Sequence, residues 1–461
     1  MEGLKAMMRG VRTLFRCVFC LLALAVGAQQ PSQPSQPRDT TLVDQWREVL
    51  RFGIDSEVLR ILKGLGDAGE RSLDGELVTV FRESLNSEVR TAILELLGRE
   101  GIGTAEQAAL VLIRHEELED SRLSSAVVRY LAAIRSSELE PELRRLIADG
   151  QRSGADLRVV ESALAALAEV GSTAGGDLLL EKLADPHYPE SLKPRIILAL
   201  GKLEHSPAVE ALIEVVEDRG AERTWRMYAA VALGEIGDRR AVAALKELFR
   251  EQDSLIKVYA ASGLASFGMA EVETLLHQGL RDSNERVRAA AAQALANPDA
   301  SASVEILIYK ARNDPARQVR IEAIRALGRI GTPPALAFLR ELYGEGLAAL
   351  QYREEALVAL CESDLQGNLS AIAQVVDAEW AARDQKIVGL TARILSTRQS
   401  PELADLYERF LGHPDVGVRI YALRGIAANR IRSLRKRVEA LSSEDPHPAA
   451  QRAATAALDR F

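Results

Sequence analysis

Few side chains in this chain are typed and spaced to do chemistry, and the most regular of them are cations. A basic residue returns as Arg90, Lys193, Arg226, Lys257, Arg288, Arg320, Arg353 and Arg419. A row of cations can track phosphates, or each can bond an acid or carbonyl of a nearby turn. The row borders an apolar face and acids recur in the turns beside it, so turn bonding is the expected use. The histidines, at 115, 187, 205, 277, 413 and 447, include no pair at i,i+3 or i,i+4, and each reads as a turn or surface residue. With three Cys in 461 residues, neither a multi-Cys metal cluster nor a disulfide scaffold is expected. No Gly-x-Ser-x-Gly elbow, phosphate-binding glycine loop or dinucleotide fingerprint occurs. No catalytic residue, metal ligand or cofactor is expected, and the chain reads as a non-enzyme.

Two features stand out as binding chemistry. One residue after the ladder position come Val128, Met227, Val258, Ile321, Ile387 and Ile420; two after it come Tyr228, Tyr259 and Tyr421. At 100° per residue the first set points about 130–150° from the buried centre of a helix. Apolar and aromatic groups there suggest a partner groove made of Met227, Tyr228, Val258, Tyr259, Ile321 and Tyr421, with Arg195 and Arg226 as a polar rim. The competing expectation is that these residues pack against the next repeat.

The second feature is electrostatic. No acid occurs between Asp415 and Glu439, whereas Arg419, Arg424, Arg430, Arg432, Arg435, Lys436 and Arg437 do. Apart from the ladder residue Arg419, these form a candidate patch for an anionic partner. The whole chain carries −8, which disfavours a general nucleic-acid binder.

The elements that position these residues repeat with a period near 33. Aligned on the basic residue, the register runs Val58, Arg90, Val127, Val160, Lys193, Arg226, Lys257, Arg288, Arg320, Arg353, Lys386, Arg419 and Gln451. Around each, offsets −1, +3, +4, +6 and +7 are apolar or small, as in Val319, Ala323, Ile324, Ala326 and Leu327, which share one helical face. Glycine at +8 (Gly98, Gly201, Gly234, Gly328) is expected to form a left-handed cap. Cys361 takes that +8 place, a tight site for an inert thiol. A second amphipathic helix and a turn rich in Asp, Pro, Ser and Asn complete each unit. One helix pair cannot bury its apolar faces alone, so the pairs must stack. The expected fold is all-α: an α-solenoid of about 13 antiparallel helix pairs over residues 42–461, which looks complete.

The first residues read as a targeting segment. Lys5, Arg9, Arg12 and Arg16 precede the apolar run Cys17 to Val26, and Val26-Gly27-Ala28 offers a cleavage site. This is the secretory pattern, with residues 1–28 removed. Lipidation at Cys20 is disfavoured, because Phe19 stands where a small residue is wanted. Cleavage removes four basic residues and one acid, leaving 54 against 65 and a net charge of −11. Residues 29–41, rich in Gln, Pro and Ser, read as an extended linker.

Asp314-x4-Val319-Arg320-x2-Ala323-x2-Ala326-Leu327-Gly328 closely resembles the HEAT repeat, in the short form of phycobilisome-lyase-like HEAT proteins. The resemblance covers residues 42–461. It implies a superhelix with the Arg-bearing helices on the concave side and a protein-binding or scaffolding role. Some relatives handle bilin pigments, but a repeat-level match does not transfer that chemistry. The expectation is therefore an exported, periplasmic scaffold with unknown protein partners, no nucleic acid and no membrane span after cleavage. The alternatives are a lyase-type enzyme or subunit acting on a bound small molecule, and a membrane-surface adaptor working through the basic cluster at 419–437.

Overall fold

The computed structural model describes residues 40–114, 120–150, 156–380 and 386–461. The targeting segment, almost all of the linker, and His115 lie outside these residues. Two compact units divide at Leu112 and Ile113.

In the first unit, α1 (Thr40–Phe52) pairs with α2 (Asp55–Ala68), and α3 (Asp74–Glu83) with α4 (Ser87–Arg99). Buried Leu62, Leu65, Leu77, Phe81, Ile93 and Leu97 form its core. Helix α5 (Glu106–Arg114) carries the boundary.

The second unit continues with α6 (Ser121–Ala133), α7 (Leu139–Asp149), α8 (Leu157–Val170), α9 (Thr173–Ala184), α10 (Lys193–Lys202) and α11 (Val209–Glu217). Next come α12 (Arg223–Ile236), α13 (Ala241–Phe249), α14 (Ser254–Leu264), α15 (Met269–Gly279), α16 (Glu285–Ala294) and α17 (Val304–Asn313). Then follow α18 (Arg317–Ile330), α19 (Pro333–Gly344), α20 (Leu350–Trp380) and α21 (Lys386–Leu395). The chain ends with α22 (Ala404–Leu411), α23 (Val416–Asn429), α24 (Arg435–Glu444) and α25 (Pro448–Leu458). Helix α20 breaks at Asp364 (φ −159°, ψ 88°), so it supplies two elements. Counted this way, the described residues hold 26 helical elements, the number that the expected 13 pairs require.

The ladder lies on one helix of each pair, called here the ladder helix. Through most of the second unit, ladder helices pack on their own partners, as α12 on α11, and on neighbouring ladder helices, as α12 on α10 and α14. The repeating face is buried as its spacing requires: Val319, Ala323, Ile324, Ala326 and Leu327 are all sealed from solvent. Side chains of the preceding turn start several ladder helices. Asp253 accepts from the N–H groups of Leu255 and Ile256, and Asp415 from those of Gly417 and Val418.

The +8 glycines do not cap these helices. Gly201, Gly234 and Gly328 lie inside them, and the left-handed caps fall three residues later, at Gly237 (φ 71°) and Gly331 (φ 64°). The +8 position is where neighbouring ladder helices come closest. A Cβ on Gly234 would sit 2.6 Å from the Gly263 carbonyl oxygen, and one on Gly328 would sit 2.6 Å from the Ala359 Cβ. Cys361 occupies the same kind of site, and burial pushes its thiol up to about 11.

Several ladder cations fasten one pair to the next, while Arg90 and Lys193 lie over the rings of Phe81 and Trp225. Arg226 donates from Nε and Nη2 to the Val216 carbonyl at 2.9 and 2.8 Å, at the end of its own partner helix. It also donates from Nη1 and Nη2 to Glu251, at 3.1 and 2.6 Å, in the turn of the following pair. Arg353 bonds the Tyr343 carbonyl and Glu379, both at 2.8 Å. Lys257 reaches Asp282 at 2.7 Å. Arg288 holds both oxygens of Asp314 at 2.9 Å and the carbonyls of Asp282 and Ser283 at 2.9 and 3.0 Å. Arg419 does the same with Asp445, at 2.7 and 2.8 Å, and with the His413 and Pro414 carbonyls at 2.9 Å. Arg320 bonds the Ala311 carbonyl at 2.9 Å and stacks 4.0 Å from the Tyr352 ring centre.

One ladder assignment moves. In α21 the buried residues are Ile387, Val388, Leu390, Thr391, Ala392, Ile394 and Leu395, and the repeating face through Ile387, Thr391, Ala392, Ile394 and Leu395 puts the ladder position at Val388 rather than Lys386. This pair therefore has no arginine latch.

Two outcomes follow from this packing. Gly→Ala inside an exposed helix gains about 1 kcal/mol. Gly234→Ala should reverse that sign and lose about 1–3 kcal/mol through overpacking, read as a lower urea midpoint. The second concerns pH. Burial raises the Asp314 carboxyl, but hydrogen bonds from Arg288, the Ala316 N–H and Lys310 outweigh it and hold it below the usual carboxylate range. The Arg419 hydrogen bonds likewise lower Asp445. A depressed folded-state value supplies stability above the unfolded value of about 3.9, and that stability is lost as pH falls through the folded value. Arg288→Met removes the bidentate partner of a buried carboxylate, leaves it to Lys310 and the Ala316 N–H, and should cost about 2 kcal/mol at neutral pH. The gap to wild type should close in denaturation series taken below about pH 4.

Candidate functional site

The ladder is largely consumed by turn bonding. Arg226 is buried and doubly bonded, so it is a latch and not the polar rim of a groove. Met227 and Ile321 also leave the groove: they are only 7% and 6% exposed, and Val128 and Ile387 are buried as well. Their direction is away from the core of their own pair, as the projection implied. Neighbouring ladder helices lie so close, however, that this direction meets the next helix and not water.

A smaller apolar surface remains. Tyr228 on α12 and Tyr259 on α14 are half-buried, with ring centres 6.2 Å apart and planes tilted by 49°. Val258 is half-buried beside Tyr259. Leu198 on α10 and Val231 on α12 are also half-buried and extend the strip. The pattern at offsets +1 and +2 missed both, because they stand at +5. Arg195 is an exposed rim residue, and its Nη2 bonds Glu161 at 3.1 Å. Tyr421 is half-buried but lies on α23, the fifth ladder element after α14, and is not part of this strip.

Tyr421 instead lines a cleft of about 620 Å³ between residues 350–363, α21 and α23. Its walls carry Glu354, Lys386, Arg393, His413 and Asp415 over Leu390 and Val418. The cleft follows from the shifted register. Gly389 stands at +1, where Met227 and Ile321 fill the space elsewhere, and a Cβ there would meet only Val418, at 3.9 Å. Glu354 and Arg393 pair at 2.6 Å, and Asp415 caps α23. His413 and His205 stand in turns, as expected, but both are buried. The His413 Nδ1 accepts the Asp415 N–H at 3.1 Å, its ring stands edge-on to Trp380 at 4.8 Å, and burial holds its imidazole below the usual range. No His, Cys, Asp and Glu cluster suited to a metal occurs among the described residues. No helix among them is long and apolar enough to cross a membrane.

The six cations Arg424, Arg430, Arg432, Arg435, Lys436 and Arg437 are all exposed, near the end of the second unit.

Known proteins match this architecture. A HEAT repeat-containing taxis protein of Halobacterium salinarum is 31% identical over 153 residues, which is 32% of this chain and 37% of that protein. The alpha subunit of phycocyanobilin lyase from Picosynechococcus is 29% identical over 240 residues, 49% of this chain and 80% of that subunit. Among solved structures, the phycocyanin lyase complex from Nostoc aligns at 22% identity and TM-score 0.35, over 51% of this chain and 94% of that one. The karyopherin Kap121p aligns at 12% identity and TM-score 0.39, over 97% of this chain and 56% of that one. The model of the spirochaete HEAT repeat protein family matches residues 50–457. With paired helices along the described residues and that match across nearly all of the chain, the chain belongs to the spirochaete HEAT repeat protein family.

Proposed function

We propose that this HEAT-repeat protein is a non-catalytic scaffold or adaptor of the cell envelope that holds a partner segment on its ladder-helix face. The Tyr228–Tyr259 pair carries the reading: two aromatic rings on rigid, adjacent helices, half-open to solvent, with Val258 and Val231 beside them and Arg195 at the edge. Amphipathic aromatic anchors with a polar edge are the usual composition of an interface hot spot. The export pattern of residues 1–28 supports the periplasm as the compartment.

A second reading is a lyase-type enzyme or subunit acting on a bound small molecule. The cleft beside α21 favours it, as does the relative named a lyase subunit. It ranks second because the acids lining that cleft are committed, Glu354 to Arg393 and Asp415 to the N–H groups of α23.

The test is capture of envelope proteins by wild type and by the double variant Tyr228→Ala, Tyr259→Ala, with bound proteins identified by mass spectrometry. The variant should lose a specific partner about tenfold or more while its melting temperature stays within about 2 °C, since half-open side chains contribute little to the core. Undiminished capture would refute the groove. A melting temperature lowered by several degrees would assign the rings to packing.

A further inference from the structure

We propose that the turn between α23 and α24 docks this protein on an anionic lipid bilayer. Two local features there work against folding. Arg430 is held in the left-handed region (φ 49°), as Arg135 and Glu204 are after α6 and α10, whereas Gly237 and Gly331 serve after α12 and α18. For a residue with a Cβ this costs about 1 kcal/mol. Helix α24 then opens with Arg435, Lys436 and Arg437 and no acid in its first turn. Cations oppose the helix dipole at that end. Several equivalent helices open with acids, Glu140 and Glu142 in α7, Glu210 in α11, Glu271 in α15 and Glu305 in α17, and α9, α13 and α19, which open without one, have no cation in the first turn.

Partner choice there also differs from that of an equivalent turn. In the equivalent turn after α12, Arg239 pairs with Glu271, and Arg240 pairs with Glu210 and Asp238. After α23, only Arg435 finds an acid, Glu439 at 2.9 Å. The side chains of Arg430, Arg432, Lys436 and Arg437 make no hydrogen bond or ion pair among the described residues, although all four are exposed. Ile431 and Leu434 are buried beneath them and pin the turn, so its cations project from a fixed base.

A lipid surface fits this chemistry better than a folded protein. The turn carries no exposed large apolar group that could serve as a hot-spot anchor. A fluid array of headgroup phosphates needs no shape match and returns about 1 kcal/mol per cation near the surface. The export pattern of the N-terminal residues makes a bilayer the expected anionic polymer, in preference to nucleic acid. The acidic remainder of the chain would keep the rest of the molecule off the surface.

The experiment is co-sedimentation of the purified protein with vesicles of phosphatidylglycerol and phosphatidylcholine, against phosphatidylcholine alone, at 0.05 and 0.3 M salt. Wild type should partition onto the anionic vesicles at least tenfold better than onto neutral ones, and high salt should remove most of that preference. Arg432→Glu with Lys436→Glu and Arg437→Glu should lower anionic binding by about a hundredfold or more, because each reversal removes an attraction and adds a repulsion. The same variant should melt no lower than wild type, since its new acids suit a helix N-terminus. Equal binding to neutral vesicles, or anionic binding untouched by the reversals, would overturn the proposal. So would duplex DNA competing the protein off the vesicles at equal phosphate concentration.

Discussion

Through much of the second unit the fold depends on one recurring contact: a ladder arginine that bonds a carbonyl of its own helix pair and an acid in the next, as Arg226, Arg288, Arg353 and Arg419 do. The carbonyls it takes are helix-end groups that lack an intrahelical partner. The acids it takes are half-buried or fully buried, and Asp314 and Asp445 have no exposed side-chain surface. Each latch therefore satisfies polar groups that stacking would otherwise strand, and it does so only when the next pair is in register. Hydrophobic burial drives the pairs together without fixing that register. The bidentate geometry at Asp314 and Asp445 does fix it.

Small residues make the latch possible. Gly234 against Gly263, and Gly328 against Ala359, let neighbouring ladder helices approach until a guanidinium can span two turns. The same closeness seals Met227 and Ile321, which leaves tyrosines two residues beyond the latch as the first side chains able to reach solvent. Where the latch is missing, the surface changes. Val388 takes the ladder place in α21, Gly389 leaves its neighbour's side unfilled, and a cleft opens. In α25 the place is taken by Gln451, which bonds only the Ser443 and Asp445 carbonyls of its own pair. Beyond α23 the inter-pair acids disappear from the turn, and the cations there face solvent.

The helix pairing, the pair number and the turn-bonding role of the ladder were legible in the sequence, because they follow from spacing within one repeat. What lay outside that reach depends on the distance between repeats. Projection around a single helix placed Met227 and Ile321 away from their own core but could not see the next helix closing over them. The +8 glycines look like caps when each helix is read alone, and only the approach of Gly263 to Gly234 reveals their use. In α21 a lysine stood close enough to the expected position to hide a register moved by two residues, and with it the origin of the cleft. The basic run from Arg424 to Arg437 was plain in the sequence. Its abnormality shows only when its turn is set beside the paired arginines of the turn after α12.

The measurement that bears most directly on the latch is native-state hydrogen exchange on Arg226→Met. That change keeps the apolar stem and removes the bonds to Val216 and Glu251. The account predicts lost amide protection confined to α11, α12, α14 and the turn at residues 250–253, with α2, α4, α23 and α25 unchanged, as expected for nearest-neighbour coupling in a repeat array. Protection retained throughout, or lost evenly across every helix, would contradict it.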